Sequence, residues 1–310
     1  MSSNLPKNLI QINDVGVLLL GYNRPELLKK RILQVYESEV ANIHISIDGG
    51  FLSHTSEMDS VKKFAENIFR NCKLHLTHHE ENLGMTRHIS NSISRVLSLH
   101  DYVIIVEDDV ILSKNFIQNM LLGLNVLREK EYLGVVSGYS SFFNKSLNNK
   151  WRQVYTPSIW GWACSKDTWE NYSFDLTTTC IEDELSESNA WKSLHKFQRE
   201  YLLGQFFKVQ RDPFFTWDVQ MWFHLLKNDY KSIAPIFSLS GNEGFGDIRA
   251  GHTTYNKPRY IKNYKISERL VSKTTNYSYF YEVLNLPFLK HVLKKFLKKL
   301  KYKIEKLVKG

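Results

Sequence analysis

Glu107, Asp108 and Asp109 stand side by side at the end of an apolar run, Tyr102-Val103-Ile104-Ile105-Val106. A strand that delivers acids at its carboxyl end can hold a hard divalent cation against a phosphate. Successive side chains at a strand end alternate in direction, so the three carboxylates cannot all bind one ion. Packed together they repel unless a cation or hydrogen-bond donors offset them. Two further polar clusters follow shorter apolar runs: Tyr22, Asn23 and Arg24 after 15–20, and Asp48, Gly49 and Gly50 after 43–47.

The elements that must position these groups alternate along the first half of the chain. Residues 15–20, 43–47, 73–77 and 102–106 read as strands. Residues 25–39, 57–69 and 85–99 read as helices, the first opening on Pro25. This alternation predicts an α/β fold, a mostly parallel sheet with helices on both faces and a ligand crevice beyond the carboxyl ends of the strands. The three polar clusters then fall on one rim.

Other α/β chemistries lack their residues. There is no Gly-x-x-x-x-Gly-Lys-Ser/Thr loop, no Gly-x-Gly-x-x-Gly after the first strand and no Gly-x-Ser-x-Gly elbow. Gly241, Gly244 and Gly246 come too late and in the wrong order for a dinucleotide. The 310 residues, 43% hydrophobic and 24% charged, suit one large domain with a C-terminal extension. Cys72, Cys164 and Cys180 are too widely separated for zinc or a disulfide framework, which favours a reducing cytoplasm. The apolar run 15–20 is too short for a signal core or a membrane span.

The net charge of +9 is concentrated in residues 289–310, where nine lysines and one glutamate leave only +1 for the rest of the chain. Leu293, Phe296, Leu297, Leu300 and Ile304 recur there at helical spacing between the lysines. Such a basic amphipathic helix can lie on an anionic membrane, or pack on its own domain or a second subunit. Its aliphatic interleaving and the lack of a reader motif argue against nucleic acid.

Taken in order, Asn23-Arg24-Pro25, Ser46-Ile47-Asp48-Gly49, Glu81-Asn82-Leu83-Gly84 and Glu107-Asp108-Asp109 resemble the nucleotide-sugar half of a GT-A glycosyltransferase. Trp160-Gly161-Trp162-Ala163, Trp217-Asp218 and the stretch 240–252 are similar to the second half of bacterial family-2-like polysaccharide glycosyltransferases. The acidic triplet is closer to that of N-acetylglucosaminyltransferase I. The resemblance spans roughly residues 15–252. It implies a GT-A domain over 1–255, with a donor half to about 112 and an acceptor half from 113, and leaves 256–310 as an extension.

It also implies roles. Asp48 would accept the ring N–H of a nucleobase, uracil being expected, although Asp48-Gly49-Gly50 alone reads equally as a turn. Asn23 and Arg24 would belong to the donor site, and Asn82 and Gly84 would lie near ribose and diphosphate. Arg87 would face the phosphates or stand as a solvated charge. Asp109 would bind Mn²⁺ or Mg²⁺, with Asp108 toward ribose or a metal-bound water, Glu107 behind, and His252 reaching the ion or the diphosphate. The glycine-rich 241–246 loop, expected to close over the donor, carries Asn242-Glu243-Gly244-Phe245 where the family reads Asn-Ile-Gly-Phe. Asp218 matches the position of the inverting base, and it also reads as a helix N-cap; Asp212, Glu243 and Asp247 are the other candidates. Trp160, Gly161 and Trp162 would stack acceptor sugar, while the remaining tryptophans are core.

The resulting expectation is a metal-dependent inverting transferase using a nucleotide-sugar donor and a glycan or lipid-linked glycan acceptor. Its expected place is the cytoplasm, peripheral on the inner face of the membrane through the basic helix. A sugar nucleotidyltransferase shares the acidic sheet but should carry a Lys/Arg-bearing glycine-rich loop after the first strand, where this chain has Gly21-Tyr22-Asn23-Arg24-Pro25. A non-catalytic membrane-associated glycan-binding protein is the other alternative.

Overall fold

A computed structural model describes residues 9–50, 55–140, 150–170, 172–249, 266–271 and 273–278. His252 and the basic helix expected over 289–310 lie outside the described residues.

The first half follows the alternation read from sequence: β1 (Val15–Gly21), α1 (Pro25–Tyr36), β2 (Asn42–Ile47), α2 (Thr55–Ile68), β3 (Lys73–His78), α3 (Met85–Leu97) and β4 (Tyr102–Glu107). There follow β5 (Val110–Leu112), α4 (Phe116–Glu129), β6 (Leu133–Ser137), β7 (Lys150–Val154) and β8 (Trp162–Ser165). Four short or medium helices come next: α5 (Lys166–Trp169), α6 (Ile181–Ser186), α7 (Asn189–Ser193) and α8 (Lys196–Arg211). Helix α9 (Asp218–Lys227), β9 (Lys231–Pro235), β10 (Ser240–Asn242) and β11 (Lys273–Ser278) complete the order.

Nine strands form one sheet in the order β11-β7-β9-β6-β8-β4-β1-β2-β3, and β10 pairs with β5 in a separate two-stranded ribbon. The half that carries β4, β1, β2 and β3 is parallel. Strand β8 runs antiparallel between β4 and β6. Beyond the boundary expected at residue 255, β11 extends the sheet beside β7.

Strand β1 is buried along its whole length because both faces are covered, which explains its unbroken apolar sequence. Its side chains divide by strand alternation. Val15, Val17 and Leu19 pack with Leu28 and Ile32 of α1 and Val61 of α2, while Leu18 and Leu20 pack with Ile89 and Ile93 of α3 and Met221 of α9. A third cluster joins Leu185, Leu202, Phe206 and Phe223, so α6 to α9 form a helical layer of their own. Within it α9 presents its amino end toward the carboxyl ends of the parallel strands. Among the described residues no helix is long and apolar enough to cross a membrane.

Candidate active site

The register of the parallel strands sets the site. Gly21 pairs with Ile47 and Leu20 pairs with Glu107, so β1, β2 and β4 end level with one another. The Asp48 N–H continues this ladder by donating to Gly21 O at 2.9 Å. Strands β2 and β4 leave β1 on opposite sides, which opens a crevice at the strand ends in the place where open α/β sheets bind ligands.

In that crevice Arg24 bridges two acids. Its guanidinium is ion-paired to Asp108 and reaches Asp109 Oδ2 at 3.1 Å, and the side chains of Arg24, Asp108 and Asp109 are only 13%, 4% and 12% exposed. Burial, reinforced by the neighbouring Asp109 charge and opposed by Arg24, pushes the Asp108 carboxyl up to about 7. Burial and then the charges of Asp109 and Asp108 push Glu107 well above the usual carboxylate range, and Asp218 adds to the same effect. That influence places Asp218, 111 positions later in the chain, in the electrostatic neighbourhood of the triplet.

Asp48 is buried and held from one side. Its Oδ1 accepts the N–H groups of Gly49 at 3.0 Å and Leu83 at 2.8 Å, and no hydrogen bond to Oδ2 is present among the described residues. The carboxylate lines two adjoining cavities. One, of about 250 Å³, is bounded by Arg24, Asn82, Gly84, His88, Asp108 and Arg249 among others. The second, of about 400 Å³, lies toward Met58, Lys62, His78 and His79, with Tyr22 shared between them. Gly49 is required by the close approach of the next loop, since a Cβ there would stand 2.8 Å from Glu80 C and from Glu81 O. Asn82 joins the wall by donating to Tyr22 Oη at 2.8 Å and accepting the Gly84 N–H at 2.7 Å.

Several expected residues fall elsewhere. Arg87 is exposed and rests over the Phe214 ring at 4.6 Å rather than lining either cavity. The next residue, His88, faces inward instead. Its Nε2 is 2.9 Å from Ser46 Oγ, which accepts from Ser92 Oγ at 2.8 Å. Burial drops the His88 imidazole to about 4. Helical phase carried this signal: His88 and Ser92 are one turn apart beside the buried stripe of Ile89, Ile93 and Val96, and Arg87 is outside it.

Trp162 corrects another expectation. It is 1% exposed and stacked on Trp217 with ring centroids 5.4 Å apart, so it is core and offers no face to a sugar. Trp160 remains half-buried between Tyr139 and Phe245, and Gly161 turns between the two indoles with a φ of 72°. Asp218 does not cap α9: the N-cap is Trp217, without a side-chain bond, and the Thr216 hydroxyl donates to Asp218 Oδ1.

The late glycine-rich stretch is anchored rather than loose. Gly241 and Asn242 belong to β10 and pair with Ile111 and Val110, and the Glu243 N–H donates to Asp109 O at 2.9 Å. Gly244 packs directly on the Arg24–Asp109 pair, where a Cβ would come within 2.8 Å of Arg24 Nη1. Glu243 is paired with the buried Arg31 and with Lys30, and Asp247 is paired with Arg249, whose hydrogen bond holds its carboxyl below the usual range. Asp212 caps the turn to Phe214. Asn23 meets the same stretch through Arg249 O at 3.4 Å.

The donor set fits a hard cation. Asp108 and Asp109 share one guanidinium and Glu107 stands beside them, so the strand end gathers carboxylate oxygens of the type a hard cation takes. Among the described residues no three His, Cys, Asp or Glu side chains converge to enclose an ion, so a cation here would complete its shell with water and ligand oxygens.

No protein-family model matches the chain, and no curated protein matches it. Solved structures to which the chain is similar include a mannosyltransferase of Pyrobaculum calidifontis determined with GDP-Man and Mn²⁺. It is 13% identical, with a TM-score of 0.41, and the match covers 68% of this chain and 69% of that one. A UDP-glucose pyrophosphorylase complexed with UDP-glucose is 9% identical with a TM-score of 0.35, covering 72% and 90% of the two chains. HddC of Yersinia pseudotuberculosis is 13% identical at 0.33, covering 51% and 79%.

Proposed function

We propose that the protein is a metal-dependent inverting glycosyltransferase, moving a sugar from a nucleotide-diphosphate donor, with uridine the expected base, to a hydroxyl of a glycan or lipid-linked glycan. The observation that carries this reading is the level ending of β1, β2 and β4, which gathers Asp48, Arg24, Glu107 and Asp108 around one crevice, with Asp109 paired to Arg24.

Asp48, pinned at Oδ1 and open at Oδ2, is suited to accept a base N–H, and its burial makes that contact selective. Asn82 and Gly84 would lie along ribose and diphosphate on the wall of the smaller cavity. Asp109 and His252 would hold Mn²⁺ or Mg²⁺, an ion whose chemistry is to neutralise charge on phosphate oxygens, with Asp108 toward ribose or a metal-bound water. Asp218 then takes the proton of the acceptor hydroxyl. That oxygen bonds to the anomeric carbon from the face opposite the leaving group, and the bond to the diphosphate breaks with its electron pair leaving on the nucleotide. Trp160, half-exposed beside the Phe245 ring, is the indole available to an acceptor sugar.

Release of nucleoside diphosphate from a panel of nucleotide sugars tests the reading. Activity that requires Mn²⁺ or Mg²⁺ and is lost in Asp109→Ala and Asp218→Asn is expected. Pyrophosphate release from sugar phosphate and nucleoside triphosphate would replace it with a nucleotidyltransferase, and sugar binding without turnover of any donor would replace it with a binding protein.

A further inference from the structure

The short segment between α8 and α9 exposes two phenylalanines immediately before Asp218. Phe214 is 50% exposed and Phe215 37% exposed. Placing two rings in water on a slack loop would be unremarkable, but this loop is fixed. Gln220, fully buried, donates to Pro213 O at 2.9 Å and to Phe174 O at 3.3 Å. The Phe214 and Phe215 N–H groups both bond back to Asp212, at 3.3 Å and 3.1 Å, and Phe174 leans on the Phe214 ring at 5.9 Å. The rings are therefore held at the surface by construction, against the usual gain from burying them.

Each ring also carries a cation. Arg87 stands 4.6 Å above Phe214, and Lys208 stands 3.4 Å above Phe215. Arg211 adds a third positive charge beside the loop, whose own acids are Asp212, with Oδ1 engaged by the Phe214 N–H, and Asp218. Through Arg87 the platform packs on α3, the helix whose Met85 and His88 line the smaller cavity. Two residues after Phe215, Trp217 is locked into the core on Trp162, so the platform and Asp218 are joined by a rigid link.

We infer that Phe214 and Phe215, with Arg87 and Lys208, form a binding subsite for a negatively charged saccharide, the acceptor of the transfer. The inference rests on the transferase reading, which requires an acceptor beside Asp218. Sugar C–H faces stack on aromatic rings, and a carboxylate or phosphate on the sugar meets the two cations that flank them. A membrane surface shares this chemistry. The saccharide is favoured because the loop leads directly into Asp218 and packs against the helix that walls the donor cavity.

The test is binding, measured by calorimetric titration of the full chain with trigalacturonate, neutral galactotriose and mannose 6-phosphate. Trigalacturonate should bind at least tenfold more tightly than galactotriose, and mannose 6-phosphate distinguishes a phosphate-bearing from a carboxylate-bearing acceptor. Lys208→Gln should weaken the preference for the charged sugar and Arg87→Gln/Lys208→Gln should abolish it, and Phe214→Ser/Phe215→Ser should weaken binding of both by about tenfold. Circular dichroism and an unchanged melting temperature show that these surface variants fold. Equal affinity for charged and neutral sugars, or variants that bind like the parent, overturns the inference. So does partition onto anionic vesicles that is lost in the double variant when no saccharide binds. Binding of trigalacturonate without any thermal stabilisation by uridine diphosphate and Mn²⁺ would instead leave this subsite standing and remove the donor reading.

Discussion

Replacing Arg24 by Met should destabilise the protein far more than loss of an ordinary surface ion pair. An exposed pair contributes about 0–1 kcal/mol, but the Arg24, Asp108 and Asp109 side chains are 13%, 4% and 12% exposed. Removing one partner of a buried pair leaves an uncompensated charge and costs roughly 3–5 kcal/mol. For a chain of 310 residues, with an unfolding entropy of about 2.1 cal/mol/K per residue, that corresponds to a melting temperature lower by roughly 5–8 °C. The pH dependence follows from Asp108, whose carboxyl lies at about 7 in the folded protein through burial and the Asp109 charge, against an ordinary value of 3.8. A raised folded value means that the folded state holds the proton more tightly. Its stabilising effect is present at low pH and is lost as pH rises through 7. Arg24 opposes that rise, so its loss should hurt most at pH 8 and least at pH 5.5, where the acids take up protons. Scanning calorimetry of parent and Arg24→Met at the two pH values measures both effects. A fall of less than 1 °C at pH 8, or a penalty that grows on acidification, would refute the reasoning.

Gly244→Ala should drive a methyl into the Arg24–Asp109 pair and weaken Mn²⁺-dependent binding of uridine diphosphate by roughly tenfold or more, read by titration calorimetry, while the fold persists. Asp48→Asn keeps an oxygen for the Gly49 and Leu83 N–H groups, so its melting temperature should stay within about 2 °C while the nucleotide loses a charge-assisted hydrogen bond of roughly 1.5–3 kcal/mol. His44 and His88 lie at about 3 and about 4, held down chiefly by burial, so stability is complete above about pH 6.5 and falls as pH drops below it. At pH 5 each should cost roughly 1–2 kcal/mol after allowance for solvent screening, and His44→Gln should flatten the acid side of a urea-denaturation profile.

The parallel half of the fold was legible because its strands are buried on both faces, and such strands write themselves as unbroken apolar runs ending in polar residues. Asp48 and the acidic triplet were found by that punctuation. Trp160 and Trp162 were singled out together, beside Gly161, through the resemblance, but Gly161 turns with a positive φ and Trp162 opens β8 pointing into the core. The glycines at 241–246 suggested a lid, yet Gly241 pairs across the ribbon with Ile111. The pairing of Arg31 with Glu243 joins positions 212 residues apart and leaves no local trace. Helical phase in α3 could have distinguished His88 from Arg87.

The β5–β10 ribbon welds the turn that carries Asp109 to a stretch more than 130 residues further along the chain. From Asp109 the connections run through Glu243 and Gly244 to Asp247, from Asp247 to Arg249, from Arg249 to Glu26, and so back to Arg24 on the same helical entry. A guest that displaces the guanidinium from its acids opens this circuit at one joint, while the backbone bond from Glu243 to Asp109 still ties the late stretch to the crevice.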